Sequence, residues 1–268
     1  MAEKEPSLCR NRPFTEEAAP LFEASSEETA LVEKLLETMI HRQQRIRRIT
    51  RGERALCLIT EEGLGGTASN LFPNSPEELE IIRSFEGKTL GEAAELLHHP
   101  LILCRSLGMA ALGAGTPLPE TLESRGALEY LLEKGAGKTV TIVGNFPFIP
   151  RLRKEADTLH LLELREIPGA VPRKEWEKVL SETHVLGITG TAILTRSLAY
   201  FLEKGSSAFS VILGPSTPMM QVLFDYGAKV LAGSRVRNPE ALEKGILQGD
   251  CFRELQKKGL EHIVLESA

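Results

Sequence analysis

After Gly137 the chain settles into a rhythm that few folds accommodate. Short apolar runs recur at 140–143, 159–164, 185–188, 211–213, 230–231 and 263–265, each β-branched or leucine-rich. Runs this short, with no polar alternation, mark strands covered on both faces. Amphipathic stretches lie between them at 150–156, 174–181, 192–203, 219–226 and 239–247. Strands alternating with helices at this spacing imply right-handed crossovers and an α/β fold, a Rossmann-like doubly wound parallel sheet.

The first half has a different order. Ala30, Leu31, Leu35, Met39 and Ile40 recur at helical spacing after Ser25 and Ser26, which offer cap chemistry. The runs 46–50 and 55–60, with Arg51 and Gly52 between them, predict a hairpin, and a third strand is expected after Gly65 and Gly66. Helical periodicity returns at 90–97, 102–112 and 122–132 and stops at Gly135. Strands first and helices later is the α+β order. The expected organisation is a leader over 1–28, a smaller α+β unit over 29–136 and the doubly wound unit over 137–268.

Composition narrows the function. With 268 residues, 42% of them hydrophobic, the chain can bury a sizeable core. Its net charge of -5, with both signs interspersed, gives no field suited to nucleic acid. The basic stretch from Arg42 to Arg54 is expected to be a solvated helix end and turn rather than a phosphate site. Cys9, Cys57, Cys104 and Cys251 stand apart, indicating neither a zinc knuckle nor a disulfide framework, and fit a reducing cytoplasm. No run approaches the ~18 apolar residues that a membrane span needs, and no export signal opens the chain.

In an open parallel sheet, ligands bind beyond the carboxyl ends of the strands, where helix N-termini present free amides. The special residues lie there. Gly144, Asn145, Phe146 and Pro147 follow the first strand, Thr189, Gly190 and Thr191 the third, and Gly214, Pro215, Ser216 and Thr217 the fourth. Glycine permits close approach to a ligand, and Ser or Thr supplies a hydroxyl and a helix cap. Neither G-x-G-x-x-G nor G-x-x-x-x-G-K-[ST] occurs, which disfavours an ordinary dinucleotide site or a P-loop. Glu163 closes the second strand, either as a ribose-binding carboxylate or as a surface one, with Glu166 beside it. Arg105, on an otherwise apolar helix, either supplies charge to a ligand or forms an ion pair between the halves. His98 and His99 are read as a helix end before Pro100, and His160 and His184 as half-buried packing residues within strands. For stacking, Phe146 is the candidate, with Phe148 and Tyr226 assigned to core.

The segments Val143-Gly144-Asn145-Phe146-Pro147-Phe148, Thr189-Gly190-Thr191-Ala192, Leu213-Gly214-Pro215-Ser216-Thr217-Pro218, Leu223-Phe224-Asp225-Tyr226-Gly227 and Val230-Leu231-Ala232-Gly233 together resemble the putative heavy-metal chelation family. Arg105-Ser106-Leu107-Gly108-Met109-Ala110-Ala111-Leu112 is similar to the helix that precedes its second domain. The resemblance runs from about residue 33 to the end. It implies an α+β domain similar to the N-terminal domain of enolases, a Rossmann-like domain and a ligand site between them. It further implies action on metal-chelating small molecules, pterin-, flavin- or siderophore-like, by condensation or hydrolysis. Gly113 stands where the family pattern has Asn, and Thr195 and Arg196 where it has Asn-Gly. Glycine cannot replace an amide as donor or acceptor.

Three readings follow: a ligand-processing protein working at an interdomain cleft, a carrier or sensor of a metal chelate without chemistry, and, on fold analogy, an S-adenosylmethionine-dependent methyltransferase. The expected partner is a small molecule, with a homodimer left open and neither nucleic acid nor membrane. No cofactor is specified, no side chain is assigned to a metal, and a divalent or transition metal would arrive with the ligand.

Overall fold

The computed structural model of the protein describes residues 22–71, 75–118 and 126–267. Helix α1 (Ser26–Glu37) starts where expected, its Glu28 amide donating to the Ser25 hydroxyl at 3.1 Å. Strands β1 (Ile46–Arg51), β2 (Ala55–Thr60) and β3 (Gly65–Ser69) pair antiparallel in the order β1-β2-β3. The basic stretch is therefore mostly a strand, not a helix end. Of its arginines, Arg47 and Arg48 pair with Glu240 and Glu243 of the second half, and Arg42 and Arg45 bond within the first.

Helix α2 (Pro76–Arg83) has no counterpart in the periodicity reading. Local chemistry forms it, since Pro76 stands at N1 and Ser75 and Glu78 bond each other's amides in a capping box. Helix α3 (Leu90–Ala94) runs into a 3-10 turn, Glu95–His98, which ends before Pro100. Helix α4 (Ile102–Gly115) is buried around nearly its whole circumference. Helix α5 (Ala127–Gly135) accounts for the end of the 122–132 pattern, whose first residues lie outside the described ones.

The second half alternates as the apolar runs require: β4 (Thr139–Val143), α6 (Ile149–Glu155), β5 (Thr158–Leu162), α7 (Trp176–Ser181), β6 (Val185–Thr189), α8 (Leu198–Lys204), β7 (Phe209–Leu213), α9 (Val222–Asp225), β8 (Ala228–Val236), α10 (Pro239–Leu247), α11 (Phe252–Lys258) and β9 (Leu260–Glu266). The sheet order is β5-β4-β6-β7-β8-β9. Five strands are parallel, whereas β9 turns back antiparallel on β8, so the sheet is not parallel throughout.

Two expected helices are shorter than their apolar spacing suggests. The 192–203 stretch breaks because Arg196 adopts φ 57°, a left-handed conformation costing a non-glycine residue about 1–2 kcal/mol. A 3-10 turn, Gly190–Ala192, precedes the break and α8 follows it. The 219–226 stretch keeps only the four residues of α9. Helix α11 was not foreseen.

One core spans both halves. Leu31, Leu56, Leu103 and Leu107 from the first half share it with Trp176, Ile188, Leu198 and Phe201 from the second. The opposite face of the large sheet packs a second core around Tyr130, Leu131, Ile142 and Val211. The two sheets are thus held by continuous apolar burial, and truncating one such leucine to Ala costs about 2–5 kcal/mol.

Candidate functional site

In the order β5-β4-β6-β7, the chain winds one way from β4 to β5 and the other way from β6 onward, so the switch lies between β4 and β6. The two loops leaving that switch touch. Gly144, at φ 99°, occupies a conformation that side chains resist, and a Cβ there would lie 3.1 Å from the Thr189 Cβ. Gly190 is required for a different reason. A Cβ on it would stand 2.5 Å from the Thr217 amide nitrogen, so the loops after β6 and β7 meet backbone to backbone.

These loops open into a cavity of about 1050 Å³. Gly144, Asn145, Phe146 and Pro147 line it after β4, Glu163 after β5, Thr189 and Thr191 after β6, and Gly214 and Pro215 after β7. The first half supplies an opposite wall from the β1–β2 turn (Glu53, Arg54) and from β3 onward (Thr67 to Leu71). A third side is α11 with its approach, residues 250–257. Phe146 and Phe148 stack with centroids 5.0 Å apart and planes 14° apart; Phe148 packs against the second core, as expected from sequence, and also lines the cavity. Tyr226 is partly buried against the larger core, as expected. The amides of Asn145 and Phe146 donate to no acceptor among the described residues.

The remaining candidates lie elsewhere. Arg105 is buried and outside the cavity lining. Its guanidinium donates to the carbonyls of Leu194 (2.7 Å), His99 (2.8 Å) and Pro100 (2.7 Å). It therefore joins the halves through carbonyls, not through the carboxylate partner envisaged as one alternative. Desolvation, with repulsion from Arg196, lowers its pKa to about 10, so it stays charged at neutral pH. Arg196 donates to the His98 and His99 carbonyls from the other side. The Ser216 hydroxyl accepts from the Ser69 amide at 2.8 Å and bonds its hydroxyl at 3.0 Å. Thr217 is buried against Gly190, its Oγ1 unpartnered. Gly190, Ser216 and Thr217 thus sit in the joint between the sheets, behind the cavity wall.

Glu163 pairs with Arg165 at 2.8 Å, while Glu166 is exposed along a neighbouring hollow of about 610 Å³. Gly113 is exposed with open space around it, and Thr195 lines the cavity with its hydroxyl bonded to Ser197. His160 is half-buried in β5, but His184 is exposed just before β6, correcting the packing role expected for it. Burial pushes the free thiols of Cys57 and Cys104 to about 12 and about 11, leaving them inert. Cys251, on the cavity rim, is disulfide-bonded, a bridge that the isolated cysteine spacing gave no sign of.

A resident metal does not fit these side chains: among the described residues no three of His, Cys, Asp and Glu gather into a cage. Sequence reasoning missed Ser234, His262 and the α11 residues 252–257 as cavity lining, and set Arg54 aside as part of a solvated turn. They bear no motif, and only the tertiary fold brings them to the strand-end loops.

Residues 126–265 match the model of a family described as putative heavy-metal chelation, and residues 32–115 match a second model of the same description. The chain is similar in fold to a protein of unknown function from Desulfitobacterium hafniense DCB-2, at 21% identity and a TM-score of 0.77, covering 90% of this chain and 98% of that one. A protein of unknown function from Pyrococcus horikoshii is similar at 19% identity and a TM-score of 0.71, covering 90% of this chain and 100% of that one. No curated protein matches the chain. Among the described residues no helix is long and apolar enough to cross a membrane.

Proposed function

This chain belongs to the putative heavy-metal chelation family, and from that premise we propose that it binds a metal-chelating small molecule in the cleft between its two sheets. The observation that carries the reading is the convergence of the loops after β4, β5, β6 and β7 on one cavity whose far wall belongs to the other sheet. A cavity of about 1050 Å³ holds a ligand of pterin, flavin or siderophore size. The stacked rings of Phe146 and Phe148 form a plate for a flat conjugated system, and the amides of Asn145 and Phe146 are donors for its oxygens. Any metal enters as the ligand's passenger, held by the ligand's own donor atoms.

On this reading the chain divides into an α+β cap over 29–136, similar to an enolase N-terminal domain, and a Rossmann-like unit over 137–268. The site is Gly144, Asn145, Phe146, Pro147, Glu163, Thr189, Thr191, Gly214 and Pro215. Arg105, Gly190, Ser216 and Thr217 act through the joint that holds those loops. Among the described residues no nucleophile paired with a base lines the cavity, which favours binding and transport of the chelate over condensation or hydrolysis. Native mass spectrometry of the purified protein tests this: a retained small molecule is expected, released by Phe146→Ala. Retention unaffected by that change overturns the assignment. Glu163 at the end of the second strand is the one feature favouring S-adenosylmethionine instead. Calorimetry with that compound should give no heat, because Arg165 already occupies the carboxylate.

A further inference from the structure

Four carboxylates and four Arg or Lys side chains line the cleft, but among the described residues most of these cations are not paired with them. Of its carboxylates, Glu163 is bound to Arg165 and Asp250 to Lys258, a lysine outside the lining, while Glu254 accepts only from the Cys251 amide at 2.8 Å, which leaves Glu53 and Glu254 without an ion pair among the described residues. Of its cations, Arg165 is engaged with Glu163, but Arg54, Arg253 and Lys257 make no ion pair or side-chain hydrogen bond among the described residues. Three unpaired cations thus face two unpaired carboxylates, in a chain whose overall charge is -5.

Their placement comes from both halves of the molecule. Arg253 and Lys257 are four residues apart and share one face of α11. Arg54 stands in the turn between β1 and β2 of the other sheet. Apolar walls around such a concavity focus its field, and like charges held there gain from a counter-ion that bridges them. A second observation points to an occupant. Ser234, on β8 and in the same lining, has its hydroxyl oxygen buried with no hydrogen-bond partner. A buried hydroxyl is ordinarily satisfied.

Resting on the cleft reading above, we propose that the ligand is an organic polyanion, its carboxylate or phosphate groups held by Arg54 from the small sheet and by Arg253 and Lys257 from α11. Such groups are also the ones that ligate hard and divalent metals, so a chelator and a polyanion are compatible descriptions of one molecule. Arg54 would then couple ligand binding to the relative position of the two sheets.

Two naphthalene dyes of similar size test this, the anionic 8-anilinonaphthalene-1-sulfonate and the neutral N-phenyl-1-naphthylamine. Trp176, the single tryptophan, lies in the cavity wall, and energy transfer from it reports either dye in the cleft. The double variant Arg253→Gln, Lys257→Gln changes two exposed side chains and leaves the core intact. It should weaken the anionic dye by about tenfold or more while leaving the neutral dye unchanged. Arg54→Gln should weaken the anionic dye in the same direction. Citrate and tripolyphosphate should displace the anionic dye from the wild-type protein, and the stronger competitor identifies carboxylate or phosphate as the preferred group. Equal binding of both dyes by wild type and variants overturns the polyanion while leaving the cleft standing. Failure of both dyes to bind the wild type at all overturns the cleft, and the polyanion with it.

Discussion

At the joint between the two sheets, Ser216 bonds both the amide and the hydroxyl of Ser69, and Arg105 gives its guanidinium to three carbonyls. In the cleft on the other side of the same loops, the Asn145 and Phe146 amides and the Ser234 hydroxyl have no partner among the described residues. Both regions are built from strand-end loops with the same vocabulary of glycine, serine and threonine. The difference lies in what the polar groups meet. Ser216 and Arg105, satisfied within the chain, hold the sheets together, and the groups left open toward the cavity are available to a ligand, whereas the open Thr217 hydroxyl is buried behind its wall. If that contrast is right, changes at the joint should cost stability, and changes in the cleft should cost affinity.

The largest effect is expected at Gly190. Gly190→Val drives side-chain atoms into the Thr217 backbone and should lower unfolding stability by about 3–5 kcal/mol in urea titration. Next comes Arg105→Met, which removes the guanidinium from the Leu194 and Pro100 carbonyls and leaves the His99 carbonyl to Arg196 alone, and should cost about 2–4 kcal/mol, with dye binding by the folded protein unchanged. A large loss of affinity without loss of stability would move Arg105 from the joint to the cleft.

Glu28 sharpens the comparison through pH. Its buried carboxylate accepts from the Ala199 amide at 2.7 Å, tying α1 to α8, and desolvation raises its pKa to about 7. The folded state therefore holds this proton more tightly than the unfolded one, whose value is near 4.5. Stability from this group is greatest below pH 4.5, falls as pH rises toward 7, and levels off above that, for a total on the order of 3 kcal/mol. Unfolding midpoints at pH 5 and pH 8 should differ in that sense, and Glu28→Gln should remove this contribution. The smallest stability effect is expected at Phe146→Ala. Its ring is partly exposed in the cavity, so the change should cost about 1 kcal/mol or less while abolishing dye binding.

Much of this architecture was legible because local and tertiary demands agree. Helix α10 follows its sequence signals residue for residue: Asn238 caps it, Pro239 opens it, and Leu242 and Ile246 face inward. The buried strands show as apolar runs because both of their faces are covered. Other elements were hidden for identifiable reasons. Helix α2 is specified by Ser75, Pro76 and Glu78 rather than by a long apolar stripe. Helix α8 starts late because Arg196 takes a conformation that residue type does not reveal.

The cavity at the strand ends was legible as a place but its lining was not legible as a set of contacts. Gly144 and Gly190 stand at matching strand ends, yet one lines the cavity and the other packs on a neighbouring loop. No spacing distinguishes those fates. Arg105 on an apolar helix could face a ligand or a joint, and only the carbonyls of Leu194, His99 and Pro100 decide between them. The far wall was beyond reach because Arg54 and Lys257 are distant in sequence and carry no motif.

Hydrogen exchange read by mass spectrometry, with and without a compound captured from the purified protein, tests the central claim most directly. The account predicts added protection at the amides of 144–148 and 189–191 together with the turn around Arg54, because one ligand must touch both walls of the cleft. Protection confined to a different surface, with those amides exchanging as before, would contradict it.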